Sequence, residues 1–447
     1  MAVNNKFGLL FSNSDIRWVN TIRVLVLVCF LSIVGCTSSP PQVESLDYLA
    51  RAETQVDGRV RVSAVVLSPQ ESESSFHVPL AKKNVQPIWL KIDNQEDKTF
   101  FLMALSIDPE YFSPSEVAWM FKAYDEHSLD EEDDSDEKVS LDSMIDLFLN
   151  ESISVVVPPY STVTGYVYTN LDPGVKAFAV ELFGERDVLL FDFVQLVPGF
   201  SADFMKTGLD HQYPPDGIRD LDLDGLRQYI EALPCCVLGG DQKTPGDPLN
   251  LIIIGDGAHV LTTLVRRSWD LTETMRNDTM WRTAASSVFG SLYRTSPVSA
   301  LYFFGRPQDV ALQKARHTVN ERNHLRLWRA PVNHDGQAVW VGQISRDIGV
   351  KLSSKTVITH KIDPVVDEAR LYITLDVAAS QTLRSVGYVK GVGYSDRETP
   401  RFNYTKDPYY TDGLRVILIL GDGRHPLDSI EYLPWEQPKG REKLPDN

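Results

Sequence analysis

The sequence predicts a two-domain protein: an N-terminal β-sandwich of immunoglobulin-like type, followed by a C-terminal α/β domain built on a mixed sheet. Three observations carry this. The chain has 447 residues, more than the roughly 100–200 of one ordinary domain. From Arg59 to about Phe204 the text alternates apolar and polar residues in short runs. After about residue 247 unbroken apolar runs and helical periods take turns, the pattern of strands covered by helices.

In the sandwich region, 59–205, alternating runs lie at Arg59–Leu67, Ile88–Ile92, Ser152–Val157, Thr162–Tyr168 and Phe178–Leu182. Pro69, Asp93-Asn94, Pro158-Pro159 and Asp172-Pro173-Gly174 break them, as turns between antiparallel strands do. Ser113-Pro114-Ser115-Glu116 offers a cap and a first-turn proline for one interrupting helix. The block Asp130-Glu131-Glu132-Asp133-Asp134 cannot pack and reads as a solvated loop.

Residues 206–247 concentrate proline, glycine and aspartate and read as a linker with a short helix. Within it, Asp220, Asp222, Asp224, Gly225 and Glu231 match the D-x-D-x-D-G-x5-E spacing of a calcium loop. Pro214 and Pro215 spoil the incoming helix, and Leu221 and Leu223 look like packing residues. The competing expectation is an amphipathic helix from about Asp224 to Leu233. No cofactor is evident otherwise, with a divalent cation as the alternative.

The α/β region, 248–400, opens with the apolar run Leu249–Ile254, the turn Gly255-Asp256-Gly257, and Val260, Leu261, Leu264 and Val265 on one helical face. Ala300–Phe304 precedes a helix expected from about Gln308 to His317. Asn323–Arg329 and Gln337–Ile344 form a hairpin around Asn333-His334-Asp335-Gly336, with Trp328 and Trp340 expected to face each other. Lys355–Ile362 is a further strand, and Asp363-Pro364 starts a helix that runs to about Ala379, with Asp363 at its cap. Residues 401–447 hold a final strand, Leu414–Leu420, and a tail. Its Gly421-Asp422-Gly423 echoes Gly255-Asp256-Gly257, and such a turn after a strand is common enough to arise by chance.

The first 35 residues combine Lys6, Arg17 and Arg23 with an apolar run from Val24 to Val34, then Gly35-Cys36. This is the pattern of a signal peptide ending in a lipobox, with Cys36 as the lipidated residue and 36–58 as a tether. An 11-residue run is short against the roughly 20 residues of a spanning helix. Thr37 in place of Asp is the sorting pattern of outer-membrane lipoproteins, so the expected location is the bacterial envelope, facing the periplasm. The net charge of −17 argues against a nucleic-acid partner. The mature chain keeps only Cys235 and Cys236, expected as two small buried thiols, with a redox pair as the alternative.

From about Leu226 onward the chain resembles the LssY-like C-terminal domain family. The stretches that carry the resemblance are Glu231-Ala-Leu-Pro-Cys-Cys236, Gly246-Asp-Pro-Leu-Asn-Leu251, Leu301-Tyr-Phe-Phe-Gly-Arg306 with Gln308-Asp309, Arg322-Asn-His-Leu-Arg-Leu-Trp328, Val339-Trp-Val-Gly342 and Thr359-His-Lys-Ile-Asp-Pro364 with Asp367. The resemblance as a whole covers something over a third of the chain. The family is named for a domain found beside phosphatidic-acid-phosphatase-type membrane modules, which implies an envelope setting and no established chemistry. The phosphatase module is absent here, so lipid phosphatase activity does not carry over.

The candidate polar site is His324, Arg326, Trp328, His360, Asp363 and Asp367. On an extended strand His324, Arg326 and Trp328 share one face, with Leu325 and Leu327 on the other, and that face suits an anionic or sugar-like ligand. Were the neighbouring strands adjacent, His324, His360 and Asp363 would meet as metal ligands or as an acid–base set. Neither H-E-x-x-H nor G-x-S-x-G occurs. The functional expectation is therefore a non-catalytic envelope lipoprotein that binds an envelope protein or an anionic ligand. The alternative is a hydrolase or transferase acting on a phosphorylated or glycan substrate through His324, Arg326, His360 and Asp363. Convergence of those side chains in an open cleft distinguishes the two.

Overall fold

A computed structural model describes residues 48–121, 141–172, 175–197, 212–272, 299–315, 322–351 and 359–438. The lipobox with Cys36 and the acidic block Asp130–Asp134 lie outside the described residues. Leu49–Asn447 forms one compact unit.

The first half places β1 (Glu53–Asp57), β2 (Val60–Val66), β3 (Val85–Asn94), β4 (Phe100–Met103), β5 (Val156–Val157), β6 (Ser161–Asn170), β7 (Val175–Phe183) and β8 (Val188–Leu196) in two four-stranded sheets. Their orders are β1-β2-β3-β6 and β5-β4-β7-β8, and every pairing is antiparallel. Alternation explains the packing: Val60, Val62, Ala64 and Val66 of β2 face Phe178, Val180 and Leu182 of β7 in one core. The meander β1-β2-β3 departs from the A-B-E-D order of an immunoglobulin-like sheet, because consecutive strands lie side by side.

Helices α1 (Pro69–Phe76), α2 (Pro114–Met120) and α3 (Leu141–Glu151) accompany these sheets, with a single helical turn at Ala104–Ile107. The first two begin with capping boxes, Ser68 with Glu71 and Ser113 with Glu116, and carry proline at the first turn. Phe76 and Phe148 stack at 5.4 Å, with Tyr166 and Tyr168 of β6 edge-on to Phe76. These aromatics cover the first sheet on the side away from Val167, which faces the core.

The second half adds β9 (Arg219–Leu221), α4 (Leu223–Glu231), β10 (Cys236–Leu238), β11 (Pro245–Pro248), β12 (Leu251–Ile254), α5 (Gly257–Val265), β13 (Asp270–Leu271), β14 (Tyr302–Phe303), β15 (Arg306–Pro307) and β16 (Val310–Ala315). It continues through β17 (Arg322–His334), β18 (Gln337–Lys351), β19 (Thr359–Ile362), α6 (Val366–Ala379), β20 (Leu383–Lys390), β21 (Arg401–Phe402), β22 (Pro408–Tyr409), β23 (Leu414–Leu420) and β24 (Glu431–Tyr432). A ten-stranded mixed sheet runs β13-β16-β17-β18-β12-β23-β20-β24, with β19 beside β18 and β9 beside β17. Its centre is β12 parallel to β23, Leu251 opposite Val416 and Ile254 opposite Ile419. Both strands are apolar on each face because each face is covered. On one side Leu251, Ile253, Val416 and Leu418 pack against Val260, Leu261 and Leu264 of α5 and Ala369, Ile373 and Val377 of α6. On the other Ile252, Ile254, Ile417 and Ile419 meet Leu226 and Ile230 of α4. Helix α5 also touches the sandwich, where Thr262 donates to Asp192 at 2.6 Å and Arg266 pairs with Glu181.

Several expectations need correction. The helix expected at Gln308–His317 is strand β16: Val310 and Leu312 alternate and pair with Leu327 and Leu325. Trp328 and Trp340 do not face each other. Trp328 lies opposite Val341 and Trp340 opposite Arg329, so the two indoles enter different cores. Helix α6 begins after Val365 and has no side-chain cap, while Asp363 accepts from the Val365 N–H at 3.0 Å two residues on. The final strand is no appendage, since β23 occupies the middle of the large sheet. The two G-D-G turns follow adjacent parallel strands at the same end of that sheet. The β17–β18 turn has Asp335 and Gly336 both at positive φ, 50° and 76°, as a two-residue hairpin turn requires.

Candidate functional site

Strand alternation puts His324, Arg326 and Trp328 on one face of β17, beside Ser345, Gln343 and Val341 of β18. Trp328 is wholly buried. Its ring lies edge-on to Phe303 and its Nε1 donates to the Arg306 carbonyl at 3.4 Å. It is a core residue and offers no face to a ligand. His324 Nε2 lies 2.7 Å from Asp347 Oδ2. Arg326 donates to Gln343 Oε1 at 2.9 Å and to the Ser299 carbonyl at 3.3 Å. Gln343 in turn donates to Asp247 at 3.5 Å, and Asn403 donates to the other oxygen of Asp247 at 2.8 Å. Burial pulls the Arg326 guanidinium below its ordinary range, opposed by Asp247 and Asp347. Burial likewise pushes the Asp247 carboxyl up, against Asn403 and Arg326. This is a buried network in which each group is held by another.

The remaining members of the sequence-derived set go elsewhere. His360 sits on β19 opposite Val350, while His324 sits opposite Ser345, so β18 and several residues of register separate them. Asp363 uses its backbone N–H on Arg346 and its carboxylate on Val365. Asp367 accepts from Thr411 and from the Asp412 N–H, and pairs with Arg370 at 3.3 Å. Arg370 makes a bidentate pair with Asp412, 2.7 Å on each arm. Burial raises the Asp367 carboxyl despite Arg370. The register thus keeps the backbone positions of His324 and His360 apart, on opposite sides of β18. Asp347, which the sequence reading omitted, stands beside His324; it follows Gln343 and Ser345 at period two and was legible once the hairpin register was drawn.

The calcium-loop residues are also dispersed in role. Asp220 belongs to β9 and accepts from the Gly336 N–H at 3.2 Å. Asp222 is the N-cap of α4, accepting from the Gly225 N–H at 2.8 Å. Asp224 lies in the first turn, and Glu231 pairs with Arg227 four residues back. Among the described residues no group of three or more His, Cys, Asp or Glu is placed to hold a metal ion.

An open cleft of about 600 Å³ lies elsewhere, lined by Cys235, Lys390, Gly391, Gly393, Tyr394, Arg401, Asp412 and Glu436 among others. Two features build its wall. Arg415, with no exposed surface, donates five hydrogen bonds to main-chain carbonyls: Leu249 at 2.8 Å, Leu233 at 3.0 Å, Gly391 at 3.1 Å, and Ile230 and Pro234. Burial alone pulls its pKa down to about 10. Gly391 and Gly393 have φ of 143° and 84°, and a Cβ on either would lie 2.5 or 2.6 Å from the guanidinium of Arg415 or Arg401. Only glycine permits that approach. Cys235 and Cys236 are joined as a vicinal disulfide, which replaces the expectation of two thiols. Sequence reasoning missed the cleft because Arg401, Gly391 and Cys235 are distant in the chain and share no period.

Among the described residues no helix is long and apolar enough to cross a membrane. No curated protein matches the chain. The stretches that match in sequence are largely those that build the sheet and its buried network: Arg306 holds Asp309 bidentately at 2.8 Å, and Asn250 brackets the Ile344 backbone. Residues 228–414 match the LssY C-terminus family.

Proposed function

We propose that this is a lipid-anchored bacterial envelope protein, held by Cys36 at an outer membrane and facing the periplasm, whose C-terminal half binds an anionic envelope ligand or the anionic patch of a protein partner. One observation supports binding over turnover. The polar residues of β17 and β18 are closed on one another, whereas the open cleft presents Lys390 and Arg401 with the exposed ring of Tyr394 at its edge. Lys390 pairs with Glu436 at 3.4 Å and is mostly exposed, so that pair yields readily to a competing anion. Asp412 is neutralised by Arg370, which leaves the Arg401 side of the cleft free of its repulsion. The lipobox at Ile33-Val34-Gly35-Cys36 and the polar stretch from Thr37 to Glu44 supply the anchor and its tether.

The test has two arms. Cys36→Ser should abolish incorporation of labelled palmitate and release the chain from membranes; unchanged labelling refutes the anchor. Inorganic phosphate and a sugar phosphate should raise the melting midpoint of the wild type by mass action and not that of Arg401→Gln. No shift in the wild type with either probe refutes an anionic ligand.

A further inference from the structure

A bond between neighbouring cysteines closes no chain loop, so the entropic stabilisation of a structural disulfide is absent. What remains for Cys235–Cys236 is chemistry, and the surroundings make its two sulfurs unequal. The backbone leading into the pair is fixed by Arg415 on Ile230, Leu233 and Pro234, and by the Leu249 N–H on the Cys235 carbonyl at 2.8 Å. Cys235 lines the open cleft, with Arg401 Nη1 3.6 Å from its Sγ. The Cys236 Sγ lies instead 3.5 Å from the hydroxyl of buried Tyr409. Burial raises the Tyr409 phenol above its ordinary range, against Arg401, so it stays protonated and can donate. One sulfur is thus open beside a cation and the other sits beside a hydrogen-bond donor. Exchange needs this asymmetry: an accessible sulfur to attack and a stabilised sulfur to leave.

We propose that Cys235–Cys236 is a thiol–disulfide exchange site that reacts with low-molecular-weight thiols entering the cleft. The incoming thiolate forms a bond to Cys235 Sγ. The Cys235–Cys236 bond breaks, and its electron pair leaves on Cys236 as a thiolate that accepts from Tyr409. A second donor thiolate attacks the donor sulfur of the mixed disulfide, and Cys235 leaves as a thiolate beside Arg401. Two donor thiols and the protein disulfide become one donor disulfide and two cysteine thiols, with two electrons transferred and both protons conserved. Reduction unlinks only adjacent residues, so the fold survives it and the cycle is reversible.

The inference stands apart from anion binding, because it is read from thiol counts. The purified protein is treated with dithiothreitol or glutathione under native conditions, quenched with a maleimide and mapped by mass spectrometry. Cys235 and Cys236 should be unlabelled before reduction and both labelled after dithiothreitol, with the fluorescence of the buried tryptophans unchanged. In Cys236→Ser, glutathione disulfide should trap an adduct on Cys235. Arg401→Gln should slow reduction by roughly fivefold and raise the apparent pKa of Cys235 alkylation in the reduced protein, and Arg401→Lys should restore both. Labelling before reduction, or resistance to dithiothreitol until the chain is unfolded, overturns the proposal. So does an Arg401→Gln variant whose rate stays within about twofold of wild type with an unshifted pH profile.

Discussion

Replacing Arg415 by methionine should be among the most damaging single changes in the C-terminal half. The side chain is wholly buried and all five of its hydrogen bonds end on main-chain carbonyls. A buried ion pair can be exchanged for apolar residues with little loss when both partners are replaced. Here the acceptors are backbone and cannot be mutated away. A buried acceptor left unsatisfied costs about 1–3 kcal/mol. The carbonyls of Leu233, Pro234 and Gly391 belong to residues that are not fully buried and can recruit water, whereas Ile230 and Leu249 are wholly buried. With two acceptors stranded, the loss should be about 2–6 kcal/mol. Arg415→Lys, whose compact ammonium has three donors, should lose about half of that. Denaturant unfolding followed by the fluorescence of Trp269, Trp328 and Trp340, all buried in this half, measures both. A loss under about 1 kcal/mol for methionine, or a lysine variant less stable than methionine, would refute the assignment of Arg415 as the group that satisfies these carbonyls.

Two further outcomes follow from the network and from α4. Burial raises the folded-state pKa of Asp247, so its contribution to stability is full below the ordinary carboxylate range near about pH 4 and is lost as pH rises through the folded value; Asp247→Asn should flatten the fall in melting temperature with pH over that window, and an unchanged slope would show that the carboxyl titrates normally. Asp222→Ala removes the cap of α4 and should cost roughly 0.5–2 kcal/mol, with the melting curve of neither protein moved by calcium or chelator; a calcium-dependent shift in the wild type alone would restore the metal reading.

Local signals were read well where chemistry and geometry are local. The serine and proline before α2, the apolar run of β12 and the Asp-Gly turn of the β17–β18 hairpin each specify a backbone conformation within a few residues, whereas Pro69, read as a break between strands, starts α1. The errors arise where partners are remote. Val310-Ala-Leu-Gln-Lys has helix-forming composition, yet the edge of β17 needs a partner and the alternation of Val310 and Leu312 fits it. The two tryptophans were set face to face because their register across the hairpin, which decides the face, is fixed by pairs such as Arg329 opposite Trp340. The candidate site was assembled without that register: His324 and His360 lie on strands separated by β18, and the cleft draws on residues from 235 to 437.

The parallel pairing of β12 with β23 also governs when the α/β half can form. The two strands are some 160 residues apart in sequence, and β12 otherwise has only the antiparallel edge of β18 to lean on. Contacts of such separation are slow to form, since loop closure precedes any gain from pairing. A chain emerging from synthesis can finish its sandwich early, but the large sheet stays open at its middle until residue 420 has appeared. Residue 414, where the family match ends, is the first residue of β23. A fragment cut there keeps the family signature and lacks the strand that joins β12 to β20, so it would present two exposed sheet edges to its neighbours, a template for aggregation.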